Sequence, residues 1–200
     1  MQLQSNSSGA LMWRWIERNR EQIKIVFAVI AAIYAVTEYR FKIHDDHVDK
    51  ALSYIEKHAE GKVIEARTRI YQFWVSDKTE EWLKQLRREV PAKRFARYDK
   101  ELPDLIKSEN ITSDVYLLMD YYGSVALCVK SSLCDSGAIC QNLFNDVQGY
   151  RQTYKVLLSQ WKRDLGDTAP DEIAYLTEKT CAAQFANYCK AAPTTSNCPP

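Results

Sequence analysis

Residues 112–134 read TSDVYLLMDYYGSVALCVKSSLC, and within them Val115, Leu118, Met119, Tyr122, Ala126 and Val129 recur at steps of three and four. That is the period at which side chains share one face of an α-helix. Thr112, Ser113 and Asp114 are residue types that cap helix starts, and the helix is expected to end near Leu133. Downstream, a short helix is expected from Gly137 to Phe144. A longer one carries Val147, Tyr150, Tyr154, Leu157, Leu158, Trp161 and Leu165 and closes at Gly166. A last helix starts at Pro170 with Asp171 and Glu172 at its positive end, and presents Ile173, Leu176, Cys181, Phe185 and Tyr188.

Upstream the helical period persists. Asp77 with Glu80 reads as a capping pair before Trp82, Leu83, Leu86 and Val90, with Pro91 as the stop, and Pro103 interrupts a charged stretch from Lys93 to Asn110. Val48, Leu52, Ile55, Ala59, Val63, Ala66, Ile70 and Phe73 form one stripe through Gly61, which predicts a single long rod. No run alternates at the period of a strand. The fold class expected is all-α.

The 200 residues carry 27 basic and 26 acidic side chains, a net charge of +1, and are 46% hydrophobic. One domain with a real core fits that composition, and six Gly and six Pro are too few for a linker-like chain. Near-neutrality argues against bulk electrostatic binding of nucleic acid.

The apolar excess is concentrated between Ile25 and Val36, twelve positions without a polar side chain, among them Val26, Phe27, Val29, Ile30 and Ile33. A spanning helix needs about 20 apolar residues, with about 17 as the lower limit. Ile23 to Tyr39 reaches that limit, with Lys24 and Arg40 able to snorkel. The competing readings are the buried centre of a bundle and the core of a cleaved signal peptide. The long basic stretch before the run and the poor cleavage pattern favour an uncleaved anchor. Arg14, Arg18, Arg20 and Lys24 precede it and Arg40, Lys42 and Lys50 follow, which weights the N-terminus slightly toward the cytoplasm.

All six cysteines, Cys128, Cys134, Cys140, Cys181, Cys189 and Cys198, lie after that run. An even set of this kind belongs to an oxidising compartment. Cys134 and Cys140 flank a helix junction and are expected to pair, leaving the C-terminal cysteines to staple the last helix and tail. Cys181 and Cys189 stand about 12 Å apart along one helix and cannot pair with each other while it is intact. The expected organisation is a cytoplasmic segment 1–22, a transmembrane helix 23–39 continuing into a disulfide-stapled helical bundle 40–192, and an irregular tail 193–200.

Candidate chemistry is sparse. His44 and His47, separated by Asp45 and Asp46, share a helix face and form a candidate metal or pH-sensing collar, with His58 further on; a solvated polar collar is the competing reading. No Cys-x-x-Cys pair, haem-attachment sequence, nucleophile elbow, phosphate loop or zinc helix occurs. No cofactor is expected. Arg87, Arg88, Lys93, Arg94 and Arg97, with Phe95 and Tyr98, form a basic cluster suited to acidic lipid or an acidic partner, diluted by Glu89, Asp99 and Glu101.

Asp120 to Cys128, Leu133-Cys134-Asp135, Cys140, Phe144 and Trp161 together resemble a bacterial family of single-span helical envelope proteins of unknown function, over about residues 60–165. The resemblance implies a helical fold in the bacterial envelope and carries no active site. The functional expectation is a non-enzymatic accessory or scaffold subunit. It would sit in the lipid bilayer of the inner membrane with its C-terminal domain in the periplasm, docked on an integral membrane complex. The alternative is an envelope metal- or ligand-binding domain using His44 and His47.

Overall fold

The structure, a computed structural model, describes residues 19–191. Among them helix follows helix without a strand: α1 Arg20–His58, α2 Gly61–Trp74, α3 Asp77–Arg87, α4 Pro91–Ser108, α5 Thr112–Lys130, α6 Ser136–Thr153, α7 Lys155–Leu165, α8 Ala169–Tyr175, a π-helical stretch Leu176–Cys181, and α9 Ala182–Ala191. The all-α expectation holds. The chain divides into two compact units, residues 1–45 and 46–200, with the division inside α1.

In the first unit the apolar run is helical and uncovered, with Ile25, Val26, Phe27, Val29, Ile30, Ile33 and Val36 all exposed. Among the described residues no helix is long and apolar enough to cross a membrane, so the span expected at 23–39 is not found as such. The physical reason is length. Twelve uninterrupted apolar residues rise about 18 Å, against a hydrocarbon layer of roughly 30 Å. Lys24 bounds them on one side, and Thr37 and Glu38 on the other.

The second unit is the bundle, with α5 at its centre. Val115, Met119, Val125 and Ala126 are fully enclosed, packing against α2 on one side and α8 on another. Gly123 permits the second approach: a Cβ built there would lie 2.5 Å from Ala169 Cβ. Small side chains at Ala51, Ala66 and Ala126, all 0% exposed, bring the backbones close.

The expected single rod through Gly61 is corrected. α1 stops at His58, Ala59 N–H donates to the Glu56 carbonyl, and Gly61 takes φ +55° before α2 begins. In the sequence the stripe stays in phase through the turn, so periodicity alone does not reveal it, but the fold buries Ala51 and His58 there and leaves Leu52 and Ala59 of the stripe exposed. The short helix expected from Gly137 to Phe144 and the first half of the longer one through Val147 form a single helix, α6, and Tyr154 separates it from α7. Pro91 opens α4 at its first turn, where its missing N–H is harmless, and α4 continues through Pro103 because Leu102 and Ile106 are buried on either side of it. Ser76, not Asp77, caps α3, accepting from the Thr79 N–H.

α5 ends in a Schellman turn. Ser132 takes φ +56°, its N–H donates to the Val129 carbonyl, and Leu133 N–H donates to the Cys128 carbonyl at 2.9 Å. That reversal brings Cys134 back over Cys128, and the two form a disulfide with Cα atoms 5.3 Å apart. Asp135 then caps α6 through the Ala138 N–H at 2.7 Å. The expected Cys134–Cys140 pair is therefore wrong. Cys140 lies inside α6, 2% exposed, and faces Cys181, to which it is bonded. Its partner sits at the end of the π-helical stretch, whose wider turn keeps Ile173, Thr177 and Cys181 on one buried face at steps of four. Cys189 is in α9, its side chain outside the description, and Cys198 lies outside the described residues.

Candidate functional site

A buried polar cluster lies where α1, α2, α5 and α6 meet. His58, the last residue of α1, is 6% exposed. Arg67 Nη1 donates to His58 Nδ1 at 3.2 Å and to the His58 carbonyl at 3.2 Å. Because a guanidinium can only donate, Nδ1 accepts and the ring hydrogen sits on Nε2. Nε2 faces the Tyr122 hydroxyl at 3.1 Å and Asp146 Oδ2 at 3.4 Å. Arg67 Nη2 closes the set by donating to the same Asp146 oxygen at 3.1 Å. Burial lowers the proton affinity of His58 first, and the Arg67 charge lowers it further, while Asp146 opposes both. The imidazole is held neutral.

An aromatic ladder continues from this cluster. The His58 ring stacks on Tyr121 at 5.8 Å, and Tyr122, Tyr150 and Tyr154 follow with centroids 5.2 and 5.0 Å apart. Trp74 Nε1 donates to the Tyr154 hydroxyl at 2.9 Å and Tyr150 donates to the Val115 carbonyl at 2.7 Å. Burial pushes the tyrosines up, Tyr154 to about 12 even with the Trp74 donor opposing it, so they remain hydroxyl donors. Where the ladder reaches the surface, Arg67, Tyr71, Trp74, Asp146 and Thr153 line a shallow groove of about 250 Å³.

Both nitrogens of His58 are committed to protein partners, so its chemistry here is to orient side chains across four helices. The groove offers aromatic walls with one cation and one anion at the rim.

In the sequence His58 groups with the other histidines, and nothing local marks Arg67, Asp146 or the ladder as its partners. The available signal was spacing: His58 follows the buried Ala51 by seven residues and so shares its face. The collar residues go elsewhere. His44 is exposed, lining a surface depression with Thr37, Arg40 and Phe41. His47 is half-buried, and its carbonyl accepts from the Asp135 N–H at 3.0 Å. Among the described residues no group of three or more His, Cys, Asp or Glu side chains could hold a metal ion.

No family model, curated protein or solved structure matches the chain.

Proposed function

We propose that the protein is a membrane-associated accessory or scaffold subunit without a catalytic role, docking on a larger integral membrane complex through α1. One observation carries this reading: from Ile25 to Phe41 the large apolar side chains of α1 are exposed, Phe27 at 67% and Phe41 at 70%. Water does not tolerate such a segment uncovered, and a soluble helix hides at least one face of it. A segment too short to match the bilayer is relieved by packing on neighbouring helices, which fits a subunit of a complex better than a lone anchor.

The Cys128–Cys134 and Cys140–Cys181 bonds support an oxidising home for the bundle. With α1 as an uncleaved anchor, that home is the periplasmic face of a bacterial inner membrane, in keeping with the resemblance noted above. The test is extraction of native membranes with mild detergent, followed by native-size analysis. The protein is expected in a large assembly with co-purifying membrane proteins. A monomer that leaves the membrane in carbonate would overturn the reading.

A further inference from the structure

The tip of the α3–α4 hairpin carries a surface that the docking of α1 does not use. Val90 and Phe95 are 60% and 63% exposed, and Pro91, Ala92 and Ala96 between and beside them are also exposed. Arg87, Arg88 and Lys93 surround this apolar ridge, exposed themselves. In the sequence Glu89, Asp99 and Glu101 dilute the basic cluster, but the fold takes those three acids away. Glu89 accepts from Arg97 Nη1 at 2.8 Å, Glu101 accepts from Arg97 Nε and Trp82 Nε1 at 2.8 Å each, and Asp99 pairs with Lys155 at 3.3 Å. Arg94 turns inward too, donating to the Arg87 and Glu89 carbonyls. Arg87, Arg88 and Lys93 therefore face outward as a net positive rim. The start of α4 adds to it, with no acidic residue in its first turn and no side-chain cap.

We infer that this hairpin tip docks on an anionic bilayer surface, Val90 and Phe95 entering the headgroup–acyl boundary while Arg87, Arg88 and Lys93 contact lipid phosphates. Exposed apolar side chains ringed by cations have the composition that interfacial elements require. Charge complementarity selects anionic over neutral lipid. Each basic residue near such a surface is worth about fivefold in binding, so three together are worth on the order of 100-fold.

The test uses the full chain with vesicles of phosphatidylcholine alone or with added phosphatidylglycerol, read by hydrogen exchange of residues 87–96. Protection is expected on the anionic vesicles only, weakening as salt is raised, and absent in the triple variant R87Q/R88Q/K93Q and in V90S/F95S. These positions are exposed, and unchanged circular dichroism verifies folding. Equal protection on neutral vesicles, or none on either, would overturn the proposal. So would protection that grows with protein concentration without lipid, which would mean a second copy, or protection given by an acidic polypeptide but not by anionic vesicles. Failure of α1 as an anchor shows separately, as a chain that does not float with neutral vesicles.

Discussion

Arg67 donates to His58 Nδ1 from 3.2 Å, so the one buried histidine in the described bundle is held in its Nε2–H form by a cation. A second proton would have to go on the nitrogen facing that guanidinium. The folded state therefore binds this proton more weakly than the unfolded chain, whose histidine titrates near the ordinary value of about 6.5. Stability from this site is fully present above that value and is lost as pH falls below it.

Thermal unfolding followed from pH 8 to pH 5 is expected to show this loss, with a slope from His58 of at most about 1.4 kcal/mol per pH unit. His58→Gln should flatten the acid limb relative to the parent. An identical acid limb in the two proteins would refute the assignment.

The two disulfides should differ in worth. Closing the 41-residue separation of Cys140 and Cys181 is worth about 4 kcal/mol by chain entropy, and the six-residue separation of Cys128 and Cys134 about 2 kcal/mol. Denaturant unfolding of C140S/C181S and C128S/C134S is expected to rank them in that order. The first pair also fixes the π-helical stretch to α6, so its removal should raise hydrogen exchange over residues 176–181.

What the sequence displayed and what it concealed divide along a physical line. The α5 stripe, the Gly166 stop and the buried Ile173, Leu176 and Cys181 were legible because helical period and local backbone chemistry are properties of neighbours in the chain. The break at Gly61 was not, because its flanking stripe keeps phase. Cys140 with Cys181, and His58 with Arg67 and Asp146, depend on helices meeting in space across 41, 9 and 88 residues. The Schellman turn after α5 lay between: it depends on local backbone, but on Ser132 taking a positive φ that serine does not advertise.

Gly123 tests the central packing. Ala at this position would place its Cβ 2.5 Å from Ala169 Cβ and 3.1 Å from Ala169 Cα, inside the limit that real atoms tolerate. α5 and α8 would have to separate, at a cost of about 1–3 kcal/mol. Gly123→Ala is expected to lower the unfolding midpoint accordingly, and Ala169→Gly in the same chain should recover part of it. The coupling between the two, measured as a double-mutant cycle, distinguishes a steric clash from a change in helix propensity, which would be additive.

Asp114 offers a sharper test because its pair is lopsided. The carboxylate side chain is 5% exposed and accepts two hydrogen bonds from Arg69, whose own side chain is 54% exposed. Removing the arginine strands a buried anion, whereas removing the anion leaves a guanidinium that can turn to water. Arg69→Met is therefore expected to destabilise the fold more than Asp114→Asn, which costs about 1–2 kcal/mol as a lost hydrogen bond. The double variant R69M/D114N should be more stable than R69M alone, since the stranded charge is gone. Chemical denaturation of the four proteins decides it: equal costs for the two single changes would mean that water already reaches Asp114.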